Sequence, residues 1–579
     1  MGANPFHNYA MHITTLSPVH LGSGDDYEPT QYVIQNEALH AFHSEALLHR
    51  VPLAERQRLR TILEGKPNVE MIRQVQTFFY QNREALITAA YRRVRLTPTI
   101  EEFYLSRVGR MQQQQRGGQG VQNRLEIERT AYVAALNQPI LPGSALKGAM
   151  RTALLEAAKG QRRNLPQLTP SNHSANNRNL QQYLFDYRDM HEDPLRLLCL
   201  SDARPALPES DQTRVYFAVN RKRAAVTDAS GALRNSMAEQ QGLYQLLESL
   251  PAPLFRGYVG ELMLQEGGDL RQARGWPSWQ PRVAELVAAC NAFYLPLLAR
   301  ELAAMQRRSY LQPQWAATLE RLLGGELGAA LQRGSAFLLR VGRHSGAESV
   351  TLNGVRSIKI MQGKGNTPID RSETTTWWLA AEERLMQRDL LPFGWLLVEV
   401  VGAEESLPAL PELAAFGEYE RKQIRAWRSE LEQRYRPLIE KAQHQEAQAR
   451  EEQARQEATA AAQRAKTQAE AEAKRRAEAE FQALPAFRRT LFDLQQELAT
   501  LTHAAPIPLK KELYGELSGR LRRFIEHAKQ WSASEQEEAA TVLEAIYQRY
   551  GRAPSGLKAD KRKKQEQKAE ALIAALRNP

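Results

Sequence analysis

The chain holds only two cysteines, Cys199 and Cys290, in 579 residues. That scarcity excludes a disulfide framework and every multi-cysteine zinc or iron–sulfur module. It also makes the reducing cytoplasm the expected compartment. Long hydrophobic runs are missing too. The longest apolar stretch, LLPFGWLLVEVVG at 390–402, is shorter than a bilayer span and carries Glu399. The opening MGANPFHNYAMHITTL lacks a basic segment followed by an apolar one, so neither an export signal nor a membrane partner is expected. Histidines 40, 43 and 49 follow no ligand spacing, so no metal and no cofactor is expected. Acidic residues are in deficit, 66 against 77 Lys and Arg, for a net charge of +11. Such an excess favours a polyanionic partner, nucleic acid before membrane, because Lys and Arg displace counterions from phosphates.

What is present reads as mixed α/β through about residue 419. Tyr9, Met11 and Ile13 alternate with Ala10, His12 and Thr14, the pattern of a half-buried strand. A Gly-rich turn follows at 20–26, then a hairpin over 32–42 and two helices over 52–64 and 69–94. The stretch QQQQRGGQG at 112–120 has no apolar anchor and reads as a mobile loop. Further strands are expected at 197–200, 215–219, 258–264, 337–341, 357–362 and 394–401, with an amphipathic helix over 281–308.

Between Ile439 and Phe481 no Val, Ile, Leu, Met, Phe, Trp, Tyr or Cys occurs. The segment is Ala, Glu, Gln, Arg and Lys, a composition of high helix propensity without a seam for a coiled coil. It reads as a solvated single helix of roughly 60 Å at about 1.5 Å per residue, with a polyampholyte linker as the alternative. Large apolar residues return at helical spacing from Leu484, including Phe487, Leu491, Leu521 and Phe524, so a small bundle is expected, with a frayed basic tail after Gly556.

Three strings carry chemistry. In LPGSALKGAMRTAL at 141–154, Pro142 and Gly143 form a turn and Ser144 is an expected N-cap. Lys147 and Arg151 lie one helical turn apart, so the helix start could hold a phosphate; an ordinary capped helix with two surface cations is the alternative. Gly22, Ser23 and Gly24 in one turn, and Arg340, Arg343 and His344 around the other at 342–346, could likewise cradle an anion through backbone N–H groups. Asn220, Arg221, Lys222 and Arg223 read as a basic hairpin tip that contacts phosphate or is simply solvated. Adjacent Trp377 and Trp378 face opposite ways in a strand, so one could stack on a base while the other is buried.

TTLSPVHLGSGDDYEP at 14–29, then LPGSALKGAMRTAL, then SDARP at 201–205, then RVGRHSG at 340–346 occur in an order that resembles the RAMP superfamily of CRISPR-associated proteins. The order is most similar to the subunit that caps the 3′ end of the guide RNA in type III-A (Csm) effector complexes. The resemblance covers roughly residues 7–400 and implies an α+β fold of two ferredoxin-like (RRM-like) RAMP domains, here followed by a long charged helix and a small all-α bundle. The expected divisions are 1–194, 195–419, 420–483 and 484–579. It also implies guide RNA and other Csm-type subunits, chiefly the backbone subunit, as partners, with RNA-facing Gly22, Ser23, Gly24, Gly143, Ser144, Lys147 and Arg151. The implied role is guide binding and maturation in antiviral defence without catalysis. Relatives that cut RNA use histidine without metal, so the alternative is an endoribonuclease using His20, Asp25 and His344. A further alternative is an adaptor that recruits a nuclease through residues 420–579.

Overall fold

The computed structural model describes residues 6–66, 68–108, 125–167, 173–227, 230–231, 233–266, 276–361, 365–502, 507 and 509–578. The expected loop at 112–120 lies outside the described residues, as does the last residue of the expected strand 357–362. The chain divides into two compact units, Met1–Glu446 and Ala447–Pro579.

In the first unit, the alternation in Phe6–Thr15 buries Met11 and Ile13 and makes this the central strand of a six-stranded antiparallel sheet. On one side it pairs with Leu254–Gln265, which also carries Leu198–Leu200 and Arg204–Pro205. On the other it pairs with Trp395–Gly402, which carries Phe337–Arg340 at the edge. Helices Gly143–Gly160 and Val283–Arg307 lie against one another, joined where Tyr294 Oη donates to Ala149 O at 3.1 Å. They bury Leu146, Met150 and Leu154 from one and Leu286, Phe293 and Leu298 from the other. The longer helix is apolar enough to cross a membrane, but its apolar side is used in this core.

The second sheet runs Gly22–Tyr27, Ile127–Thr130, Tyr244–Ser249, Arg214–Lys222, Arg92–Arg95, Ala38–Ala41, Tyr32–Gln35. Thr376–Ala381 also pairs with Arg214–Lys222 and carries Leu391–Pro392. Both sheets mix strands from the two sides of residue 194, so the expected division there is not a break in the structure. Sheet partners are chosen over long range, and a linear reading cannot see that interleaving. The expected helix over 69–94 is also divided: Val69–Gln81 and Arg83–Ile87 are helical, and Arg92–Arg95 is a strand.

The expected boundary at 419 moves to about 446. Helix Pro411–Ala483 places Leu413, Gly417, Glu420, Ile424, Leu431 and Tyr435 at helical spacing and buries all six. Gly417 is required there, since a Cβ would stand 2.8 Å from Phe255 N. Glu420 pairs with buried Arg95, and Leu431 and Tyr435 join Val33, Phe42 and Phe78 in one apolar cluster. From 447 to 480 every residue is exposed, as an apolar-free sequence requires.

In the second unit, helices Ala486–Thr502, Lys511–Ala528, Ala533–Tyr550 and Ala559–Arg577 enclose Leu491, Leu494, Leu521, Phe524, Leu543 and Ile573. A Ser532/Glu535 capping box starts the third. The basic tail is not frayed: Ala569, Ile573 and Leu576 anchor the last helix in the core.

The packing of 420–446 makes a boundary test sharp. A chain ending at 446 should keep the melting transition of the first unit. A chain ending at 419 loses Ile424, Leu431 and Tyr435, each worth about 2–5 kcal/mol when deleted from a core. It should melt at least about 8 °C lower or be insoluble; equal melting temperatures would return the boundary to 419.

Candidate nucleic-acid interface

The motif strings lie far apart in sequence, and main-chain hydrogen bonds bring them together. Arg343 N donates to His20 O at 2.9 Å, joining the two Gly-rich turns. Ala131 N donates to Leu21 O, Ile140 N to Ala131 O and Leu141 N to Ala203 O, which carries the connection to the helix start. There Gly143 N donates to Asp202 Oδ1 at 2.9 Å. A Cβ on Gly143 would lie 2.7 Å from both Leu200 O and Ser201 O, so the PGS string and the SDARP string are one interlocked contact.

This contact corrects the expected phosphate cradle. The helix begins at Gly143 with Pro142 as its N-cap, and Ser144 sits exposed in the first turn without a capping bond. Asp202 takes the Gly143 N–H, and Pro142 O takes those of Ala145 and Leu146. A carboxylate already stands at the positive end of the helix dipole. What remains open is the next turn. Lys147 is half-buried with no hydrogen-bond or ion-pair partner among the described residues, and burial pulls its pKa below the usual lysine value. Beside it Gly148 is exposed, and a Cβ there would meet nothing within 4 Å.

The remaining basic candidates separate by burial. Arg340 is 2% exposed. It donates to Glu301 Oε1 at 2.6 Å and to Phe393 O at 3.0 Å, so it anchors the 342–346 turn to the core and cannot meet a ligand. The expected hairpin tip at 220–223 is the end of the paired strand Arg214–Lys222. Asn220 and Arg221 are buried, with Arg221 donating to Asn220 O and Met386 O near Glu239. Arg223 pairs with Glu348, and Arg151 pairs with Asp193 and Gln181. Arg343 is half-exposed and paired with Glu128. Gly22, Ser23 and Gly24 are exposed, with Ser23 Oγ donating to Arg129 O at 3.2 Å. Lys222 is half-buried without an ion pair among the described residues.

Of the residues named for catalysis, the joined turns bring buried His20 and half-buried His344 near one another and leave Asp25 apart. His20 is fully buried, with Nδ1 2.6 Å from Glu248 O. Burial lowers its pKa, against a raising hydrogen bond to the Glu248 carbonyl. His344 stacks on Trp378 with ring centroids 5.1 Å apart, and its Nε2 lies 2.7 Å from Gln245 Oε1. Burial, with Arg343, His20 and Arg340 nearby, lowers its pKa to about 3. Asp25 lies in a different contact, accepting from Tyr132 Oη at 3.0 Å. Trp377, the other indole of the pair, is buried beneath Arg223.

Residues 12–261 match the family model of the RAMP superfamily. This segment belongs to the RAMP superfamily. The turn at 20–24, the helix start at 143–148 and the Asp202 latch all fall inside the RAMP segment, and the 342–346 turn docks on it from outside. Two solved structures are similar. One is a chain of a cryo-EM structure of a Csm–crRNA–target RNA ternary complex in a type III-A CRISPR-Cas system, at 16% identity and TM-score 0.41, covering 68% of this chain and 100% of that one. The other is the crystal structure of T. onnurineus Csm5, at 16% identity and TM-score 0.38, covering 66% and 99%. No curated protein matches. The family assignment rests on the segment match.

Sequence reading missed Glu248, which accepts the buried polar groups under the turns, and Arg129, whose side chain lies between two tyrosines. Glu248 carried a signal, a lone carboxylate in the otherwise uncharged strand Tyr244–Ser249.

Two outcomes follow. Gly342 has φ +82° and a Cβ there would stand 2.2 Å from His20 O, whereas Gly24, at φ +87°, faces open space. Gly342→Ala should destabilise by at least about 2 kcal/mol and Gly24→Ala by about 1, read by chemical denaturation; equal costs would show that the turn–turn contact is not tight. For His344, the unfolded chain takes up a proton near the ordinary value of 6.5, and the folded chain refuses it until about 3. Stability therefore falls as pH drops below about 6.5, by at most about 1.4 kcal/mol per pH unit. His344→Asn, which tolerates the local φ of 63°, should shrink the fall in melting temperature between pH 7.5 and 5.

Proposed function

We propose that this protein is a non-catalytic RNA-binding subunit of a type III CRISPR effector of the Csm kind. In this reading it caps the 3′ side of the guide RNA, assists its maturation and docks beside the backbone subunit. The observation that carries the reading is the connection of the RAMP motifs through main-chain bonds into one surface. Ser23, Gly24 and Gly148 are exposed, and Lys147 is half-buried beside Gly148. These groups suit a phosphodiester backbone: unpaired charge at Lys147, and glycine where a chain can approach closely.

The six-stranded sheet supports a ferredoxin-like reading. Taken in chain order, Phe6–Thr15, Leu198–Leu200, Leu254–Gln265 and Trp395–Gly402 serve as strands one to four. They lie side by side as two, three, one, four, with helices Gly143–Gly160 and Val283–Arg307 in the crossover positions and Phe337–Arg340 added at the edge. The endoribonuclease alternative gains no support from His20, which a substrate cannot reach, or from His344, which is neutral at physiological pH. The adaptor reading concerns residues 420–579, of which the exposed helix segment from 447 on and the separate bundle suit a tethered docking module.

Binding of labelled single-stranded RNA across a salt series tests the proposal. Lys147→Ala should weaken every sequence alike and reduce the salt slope by about 0.7, one phosphate contact. Gly148→Ala should raise stability by roughly 0.5–1 kcal/mol, as expected in an open helix position, while reducing RNA affinity. Unaltered RNA binding in both variants would remove the helix start from the interface. Guide RNA incubated with the protein in EDTA should stay intact; cleavage that His344→Ala abolishes would replace this reading with the enzymatic one.

A further inference from the structure

Arg129 stands apart from the other buried arginines of the first unit. It is 7% exposed, on the strand Ile127–Thr130. Arg92, Arg95, Arg221 and Arg340 all face a carboxylate. The Arg129 guanidinium has no hydrogen bond and no ion pair among the described residues, and its Nε is fully buried without an acceptor. Its Cζ lies 3.6 Å from the ring centroid of Tyr132 and 4.6 Å from that of Tyr27. Two tyrosine faces hold the guanidinium plane, so its N–H edge is fixed and free to donate. A buried cation without an acceptor is costly enough that native structures rarely leave one idle.

Arg129 lines a cavity of about 800 Å³ together with Asp25, Asp26, Glu28, His43 and Tyr91. His43 is exposed and stacks on Tyr91, with ring centroids 4.2 Å apart and 15° between planes. Tyr132, which holds the guanidinium by its face, also holds the Asp25 carboxylate by its hydroxyl at 3.0 Å. The cavity thus offers a rigid donor fork, acceptor carboxylates and an aromatic platform. The three carboxylates repel a phosphate, so the occupant is a neutral planar group with an acceptor edge for Arg129 and a donor edge for a carboxylate.

Among nucleobases, guanine meets both demands: N7 and O6 accept from an arginine fork, and N1–H and N2–H₂ donate to a carboxylate. Adenine places a donor beside N7, and uracil has no two adjacent acceptors; cytosine pairs N3 with O2 but gives a carboxylate only its N4 amino group, where guanine gives two parallel N–H groups. We propose that this cavity takes one unstacked guanine of a bound single-stranded RNA, read by Arg129 and Asp25. The inference rests on the RNA-binding reading above and adds a base preference to it.

The test uses the full chain and four labelled 12-nucleotide RNAs: oligo(U), and oligo(U) with one central G, A or C. The single-G strand should bind about tenfold more tightly than the other three. Arg129→Lys keeps the charge and loses the fork, so the G-to-U affinity ratio should collapse toward one. Asp25→Asn, at an exposed side chain that does not threaten folding, should lower the same ratio. Equal wild-type affinity for all four strands, a preference for another base, or a G preference that survives both substitutions would overturn the guanine site while leaving RNA binding intact. Failure to bind any of the four would overturn the RNA-binding reading and this site with it.

Discussion

Glu248 is the carboxylate on which the two Gly-rich turns depend. It is 1% exposed. Oε1 accepts from Thr213 Oγ1 at 2.6 Å and from Arg92 Nε and Tyr27 Oη, both at 3.3 Å; Oε2 accepts from Thr130 N at 3.2 Å; and its carbonyl faces His20 Nδ1. A buried carboxylate is tolerated only when a cation and enough donors surround it. Arg92 supplies the charge and is itself saturated by Asn137 O, Asp211 O and Thr213 Oγ1. This cluster stitches the strands Gly22–Tyr27, Ile127–Thr130, Arg92–Arg95 and Tyr244–Ser249 under the surface that the RAMP motifs form. His20, fixed from below, offers its carbonyl upward to Arg343 N.

The net charge of +11 therefore says less about individual residues than about the whole surface. Arginine's planar fork suits buried pairing with carboxylates, and this fold uses it that way at Arg92, Arg95, Arg221, Arg256 and Arg340. Lysine is poorly suited to burial, and the cations left open beside the motifs, Lys147 and Lys222, are lysines. Arginine in a motif of this chain reads first as an internal fastener, and the long-range field belongs to the charge of the whole surface.

What could be read from the sequence was local. The alternation at 9–14, the stripe of the helix at 143–160, the apolar-free segment after 439 and the bundle around Leu521 and Phe524 each follow from spacing within one element. The errors share a cause. Interleaved strands, the burial of Arg221 and Arg340, and the capture of the Gly143 N–H by Asp202 are long-range facts. The boundary at 419 was a different mistake. Ile424, Leu431 and Tyr435 show a helical stripe in the sequence itself, but the later change of composition is louder than a stripe diluted by Arg and Glu. For the candidate site, the strings were visible while their mutual contact was not, because it runs through main-chain atoms that side-chain chemistry does not announce.

The glycines of these strings divide by what surrounds them. At Gly143 and Gly342 a Cβ would collide with backbone carbonyls of another segment, so the fold alone accounts for them. Gly148 differs. It lies inside a regular helix, exposed, with open space where a Cβ would be, and a glycine there costs about 0.5–1 kcal/mol relative to alanine. Nothing among the described residues packs against it to repay that cost. In the RNA-binding reading proposed above, a group from outside that approaches the helix backbone repays it, and Lys147 beside it, without an ion pair among the described residues, calls for a negative one. A phosphodiester backbone is narrow enough to lie against a bare helix turn and charged enough to engage the lysine. In that reading the fold-required glycines hold the motifs in shape, and Gly148 is where the phosphodiester lies.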